Sequence, residues 1–142
     1  MDGSPFTPAE LAYLRSQRLG RLATSAPQGA LQNNPVGFAV NETLGTVDIS
    51  GLNLTASRKF RNVRSKPNVA FVVDDIASLD PWEVRGVEIR GVAEALDGDG
   101  VAEATVRRPV IRIWPRRIVS WNVGNEEPGM HGRDVPGPRR AA

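Results

Sequence analysis

Between residues 21 and 50 the chain reads RLATSA, then Pro27-Gln28-Gly29, then ALQNNPVGFAV, then NETLG, then TVDIS. Short alternating runs separated by Gly, Pro and Asn clusters form hairpins rather than helices. The segment predicts a three-stranded antiparallel meander, and it restricts the chain to folds that can extend one. Pro35 falls inside the second run. It cannot donate to a strand ladder, so it predicts a kink at an edge or a bulge.

The flanking sequence continues this theme. Thr7-Pro8-Ala9-Glu10 has the form of a capping box with Pro at the first helical position. Leu11 and Leu14 follow on one face and Gly20 supplies a stop, which predicts a short helix over roughly 8–18. Residues 55–66 predict a second short helix, capped by Thr55 or Ser57, with Phe60 and Val63 on its apolar stripe. NVAFVVDD reads as a buried strand with Asp74 and Asp75 in a turn at its end. WEVRGVEIRGVAEAL reads as a long strand in which Val84, Val87 and Ile89 do not hold one parity, with Gly86 and Gly91 as bulges or bends. DGDGVAEATV is a short helix or a loop, and PVIRIWPRRIVSWNV is a strand pair or one long strand bent at Pro115. Six to seven strands with a few small helices predict a mainly β fold, an antiparallel barrel over residues 1–123. The Gly/Pro-rich segment 124–142 has too few apolar residues to pack and is expected to be a flexible tail or to fold over a partner.

Composition narrows the chemistry. At 142 residues the chain is expected to be one domain with one core. No stretch reaches the roughly 20 apolar residues of a membrane span, and MDGSPFTPAEL lacks the features of a signal peptide, so a soluble cytoplasmic protein is expected. There is no Cys, which removes disulfides, thiolate nucleophiles and the common zinc sites. The single histidine, His131, lies in the Gly/Pro-rich segment and is expected to be solvated. No metal site is expected, because the Asp74-Asp75 pair lacks further ligands.

The net charge is only +2, yet LTASRKFRNVRSKPNVAFVVDD at 54–75 gathers Arg58, Lys59, Arg61, Arg64 and Lys66 ahead of an apolar run. A solvated basic helix face is one reading. The other starts from the helix N-terminus, which offers unpaired N–H groups and a partial positive charge to an anion. Acids normally occupy the first helical turn, so Arg58 and Lys59 there work against helix stability and favour an anionic ligand. Nucleic acid is not expected as that ligand: aromatics are few and are not interleaved with the basic cluster.

The order of a short helix, GRLATSAPQGALQNNPVGF, TVDIS and SRKFRNVRSKPNVAFVV, followed by DPWEVRGVEIRGVAEA at 80–95, resembles the pyridoxamine 5'-phosphate oxidase-like split β-barrel superfamily over about residues 8–123. It is similar in particular to the small branch that uses the deazaflavin coenzyme F420. The resemblance implies a split barrel of the FMN-binding type. It implies that Ser57, Arg58 and Lys59 hold the cofactor phosphate, that Asn33, Asn34, Pro35 and Val36 run beside the ring largely through backbone, and that Ser50 and Gly51 line the ribityl chain. It also implies that Trp121 closes the site, frequently from a second subunit, in a homodimer with cofactor sites at the interface. Trp82 and Trp114 are expected as core or interface anchors, and Trp121 is open to that reading too. The chain departs from the oxidases themselves: it is shorter, has Asn33 and Asn34 where they place an arginine, and lacks their C-terminal Arg- and His-containing substrate region.

The expected function is hydride transfer between F420 and a conjugated or electron-poor organic substrate. Such chemistry belongs to the cofactor, which fits a chain without a cysteine nucleophile or a histidine base, and no catalytic residue is named. F420 carries a phosphodiester and a polyglutamate tail, and Arg61, Arg64 and Lys66 extend positive charge beyond the phosphate residues. FMN is the alternative cofactor, for an oxidase or reductase. A non-catalytic flavin- or F420-binding carrier is the alternative outside catalysis.

Overall fold

The computed structural model describes residues 4–98, 108–124 and 127–136. Helix α1 (Pro8–Ser16) begins as expected: the Thr7 hydroxyl accepts from the Glu10 N–H at 3.1 Å, and the Glu10 carboxylate accepts from the Thr7 N–H at 2.9 Å. It ends at Gln17, in extended backbone. Gly20, expected as the helix stop, lies instead in strand β1 (Leu19–Ser25), where a Cβ would fall 2.2 Å from the ring of Phe71. Its bare backbone makes room for an aromatic of the core.

The meander follows, with β2 (Leu31–Asn41) and β3 (Thr46–Ile49). Residues 31–37 of β2 pair with β1, while 38–41 pair with β3. Pro35 sits opposite Arg21 in unbroken register, so there is no bulge; among the described residues, this half of β2 is unpaired on its other side. A short 3₁₀ turn (Leu54–Ala56) leads into α2 (Arg58–Ser65), capped by Ser57.

Strand β4 (Asn68–Leu79) runs further than expected. Asp74 and Asp75 do not form a turn, because strand neighbours satisfy their charges: Asp74 pairs with Arg21, and Asp75 accepts two bonds from Arg85 at 2.8 and 3.0 Å. The turn comes at Asp80-Pro81, before β5 (Trp82–Leu96). Along β5 the buried residues Val87, Ile89 and Ala93 share one parity, and Val84 belongs to the hairpin end beyond them. Trp82, at that end, is 64% exposed and is not a core residue. The candidate helix or loop DGDGVAEATV falls mainly outside the described residues.

Strand β6 (Val110–Trp121) is one strand. The register slips where Arg90 and Gly91 face Arg117 and Pro115, so Arg116 is the extra residue of a bulge. Buried positions accordingly change parity, from Ile111 and Ile113 to Ile118 and Ser120. The segment beyond 123 requires a correction: Met130–Asp134 forms β7, antiparallel to β6, and Val135 is buried. Backbone pairing and an ion pair supply what apolar content does not. The strand order is β3-β2-β1-β4-β5-β6-β7, and pairing of β3 with residues 111–113 of β6 closes a seven-stranded antiparallel split barrel. Leu22, Phe71, Ile89, Ile111 and Ile118 fill it, and α2 adds Phe60 and Val63. Across the closure, Arg112 donates twice to Asp48, each at 3.1 Å.

Candidate functional site

Three polar side chains fix α2 on the barrel. Asn62 is buried on the same side as Phe60 and Val63, and its amide donates to Thr24 on β1 at 3.0 Å and to Gln32 on β2 at 3.4 Å. A polar residue within an apolar stripe signals a buried hydrogen bond, and that signal was present in the sequence. The contact anchors α2 next to Asn33 and Asn34, the residues that follow Gln32 on β2.

At the other end of α2, the Ser57 hydroxyl accepts from the Phe60 N–H at 3.3 Å and donates to the Leu54 carbonyl at 2.6 Å. Its proton is therefore engaged, and Ser57 serves the site chiefly as the cap that aims the first-turn N–H groups. Those of Arg58 and Lys59 have no partner inside the helix. Among the described residues, neither the Arg58 nor the Lys59 side chain makes a hydrogen bond or ion pair, and no acid occupies the first turn. The remaining cations differ. Arg61 donates to the Ala56 carbonyl at 2.7 Å, while Arg64 lies 3.8 Å from Asp97 and 4.8 Å above the Phe60 ring. Two uncommitted cations and two free N–H groups at a helix N-terminus form a donor set suited to a phosphate.

Ser50 and Gly51 are exposed at the end of β3, before the turn into α2, and line a cavity of about 430 Å³ with Leu52, Arg108 and Pro109. A second cavity, of about 560 Å³, also reaches Ser50 and lies between the end of α1 and residues 37–39 of β2. Asn33 and Pro35 are exposed on β2, Asn34 is half-buried, and Val36 joins the core.

Trp121 stands apart. Its ring lies against Gly86, where a Cβ would come within 2.5 Å of it. Helix α2 meets β5 near Ala93, whose N–H bonds to the Pro67 carbonyl just beyond the helix. Gly86 lies seven residues earlier on that strand, roughly 23 Å away at about 3.3 Å per residue. Within the chain, the fold does not bring Trp121 to α2. Trp114 is half-buried and its indole donates to Glu94 at 2.5 Å. His131 bonds through Nε2 to the Glu127 carbonyl at 2.6 Å.

Two ionic clusters hold the elements around the site. The Glu10 carboxylate is fully buried and takes bonds of 2.7 and 2.8 Å from Arg133 of β7. Burial pushes its pKa up, but the bonds from Arg133 and the Thr7 N–H outweigh that and hold it below the ordinary value. Tyr13 donates to Asp75 at 2.8 Å; its phenol is pushed up by burial and by the Asp75 carboxylate, while Arg85 draws the Asp75 pKa down. Among the described residues no helix is long and apolar enough to cross a membrane.

Known proteins share this chain's pattern. It is 47% identical over 137 residues to the 5a,11a-dehydrotetracycline/5a,11a-dehydrooxytetracycline reductase of Streptomyces rimosus, covering 92% of this chain and 94% of that protein. Its fold resembles the crystal structure of a conserved hypothetical protein of Mycobacterium tuberculosis, with a TM-score of 0.65, 25% identity, and coverage of 87% of this chain and 89% of the other. It also resembles the FAD-binding protein of Mycobacterium smegmatis, with a TM-score of 0.58, 21% identity, and coverage of 93% and 98%. The family described as pyridoxamine 5'-phosphate oxidase matches residues 6–136, a span that takes in every strand and both helices, and the chain belongs to that family.

Proposed function

We propose that this protein is an oxidoreductase that uses reduced F420 to saturate a carbon–carbon double bond conjugated with a carbonyl in an electron-poor, fused-ring substrate. The observation that carries the reductase reading is the 47% identity, over nearly the whole of both chains, to a protein named for reducing dehydrotetracyclines. The donor set at α2 supports a phosphate-bearing cofactor. Arg58 and Lys59 would hold the phosphate with their side chains and N–H groups, and Ser57 would orient them as the cap. Asn33, Asn34, Pro35 and Val36 would line the ring and Ser50 and Gly51 the chain between ring and phosphate, both within reach of the α2 site along β2 and β3. When bound, the cofactor supplies the hydride, and the protein's part is to bind, orient and exclude water.

Trp121 closes the site only from a second subunit, so the reading includes a homodimer with the cofactor at its interface, in the cytoplasm. A flavin is the second reading, favoured by the family match and by solved FAD-binding proteins of the same fold. Titration of the purified protein with F420 and with FMN, followed by fluorescence, tests the choice. Micromolar or tighter F420 binding with weak FMN binding supports the proposal, and turnover with reduced F420 then separates a reductase from a carrier. Preference for FMN moves the protein to the flavin reading, and binding of neither removes the cofactor site from α2.

A further inference from the structure

The cavity between α1 and β2 shares Ser50 with the proposed cofactor site and otherwise lies outside it, and it is built from the chain on both sides. Arg15, Gln17 and Arg18 form one wall at the end of α1, and Gly37, Phe38 and Ser50 form the other. Gly37 directly follows the segment 33–36, and Ser50 is shared with the cavity beside Gly51. The space thus adjoins the proposed cofactor position along both β2 and β3. Its volume, about 560 Å³, lies within the range of pockets that enclose drug-sized ligands.

The two arginines of its wall are not equivalent. Arg15 lies in the last turn of α1, where a cation complements the helix dipole, and it pairs with Glu42. Arg18 lies beyond the helix and, among the described residues, makes no side-chain hydrogen bond or ion pair. A helix end explains Arg15; it leaves Arg18 uncommitted in the wall of the cavity.

We infer that this cavity is the substrate pocket and that Arg18 receives the negative charge that the reaction generates, an inference that rests on the reductase reading above. Hydride adds to the β-carbon of the conjugated ketone, and the π electrons of the double bond move to give an enolate with its charge on the carbonyl oxygen. The α-carbon then takes a proton from water, which completes the addition of two hydrogens. Arg18 acts by charge and hydrogen bonding to the oxyanion and not as the proton donor. The Gln17 side chain lies in the same wall but its amide is engaged, donating to the Ser16 hydroxyl at 3.2 Å. The substrate class is therefore a fused-ring enone whose carbonyl oxygen reaches Arg18 while its face meets the ring position beside Pro35 and Val36.

Two variants test this without disturbing α2. A Cβ at Gly37 meets nothing within 4 Å, so Gly37→Leu adds a side chain to open space at the cavity wall. Arg18→Gln removes only the uncommitted charge. Binding of 5a,11a-dehydrotetracycline is measured by tryptophan fluorescence, with and without oxidised F420, alongside F420 affinity, melting temperature and turnover. Both variants are expected to bind the tetracycline at least about tenfold more weakly, with F420 affinity within twofold of wild type. Arg18→Gln should also lower kcat by about tenfold or more, with partial recovery in Arg18→Lys. Wild-type affinity for the tetracycline in both variants, or no binding to the wild type, overturns the inference. Tetracycline binding that depends on Arg18 in a protein with no affinity for F420 supports the pocket and overturns the cofactor reading alone.

Discussion

Replacing Arg133 with Met removes the two hydrogen bonds that its guanidinium donates to the Glu10 carboxylate. Arg133 donates to both carboxylate oxygens, at 2.7 and 2.8 Å, and to the Pro5 carbonyl at 2.6 Å. Without it, a side chain with no solvent exposure keeps its charge against the Thr7 N–H and the Ser120 hydroxyl, with no cation beside it. Breaking a buried pair from one side costs about 3–5 kcal/mol. The Arg133 side chain is 36% exposed, which screens the pair and argues for the lower end. A loss of about 3 kcal/mol corresponds to a fall in Tm of about 10 °C for a domain of this size. The pH dependence carries the same signature. In the wild type Glu10 is held below its ordinary value, so its contribution is present above the unfolded pKa and is lost as pH falls through the folded one. In the variant burial dominates and raises the folded pKa, so the destabilisation is full at neutral pH and shrinks as the carboxyl protonates. Thermal denaturation of both proteins at pH 7 and pH 5 measures this. A Tm difference under about 2 °C, or one that does not narrow at pH 5, refutes the assignment of Arg133 as the group that neutralises Glu10.

Three further outcomes are expected. Lys59→Ala should weaken F420 binding by about 1.5–3 kcal/mol with little change in Tm, measured by fluorescence titration; unchanged affinity would move the phosphate away from α2. Asn62→Ala should cost about 1–3 kcal/mol of stability in denaturant unfolding, because it leaves the Thr24 hydroxyl unpaired, and should also weaken F420 binding by loosening α2; a stability change with no effect on binding would detach the helix anchor from the site. Gly91→Ala should lower Tm more than Gly86→Ala, since its Cβ would fall 2.3 Å from the Trp114 backbone carbonyl, whereas at Gly86 the nearest backbone atom, the Val73 carbonyl oxygen, lies at 2.8 Å and the 2.5 Å contact is with the Trp121 ring; equal effects would show that β6 yields at its bulge.

How far these features could be read in the sequence depends on how local their causes are. The α1 capping box and the Ser57 cap depend on residues within one turn, and both are found as expected. The meander was legible because its turns are coded by adjacent Gly, Pro and Asn. Strand β7 was not: MHGRD has no apolar alternation, and its anchor is an ion pair to a glutamate 123 residues away. The aspartates of β4 misled for the same reason. A strand-end turn and a strand interior with cationic neighbours look alike until Arg21 and Arg85 are placed beside them. Likewise Gly20 read as a helix stop, because the ring that needs its space belongs to Phe71, on another strand.

The half of β2 that carries Pro35 draws these strands of argument together. Residues 31–37 pair with β1 on one side, and β3 takes over only from Phe38, so among the described residues the other side of this stretch presents free carbonyl and N–H groups. An open edge normally invites another strand, and proline is one of the residues that discourages it. Pro35 therefore has a physical reason to stand where it does: it removes a donor from the edge and leaves alternate backbone groups available to something other than a strand. The same edge begins next to Gln32, the β2 anchor of α2, and ends at Gly37, in the wall of the substrate cavity. A planar ring recognised through backbone, held by its phosphate at one end and meeting its substrate at the other, is the ligand that this order of residues along one strand would serve.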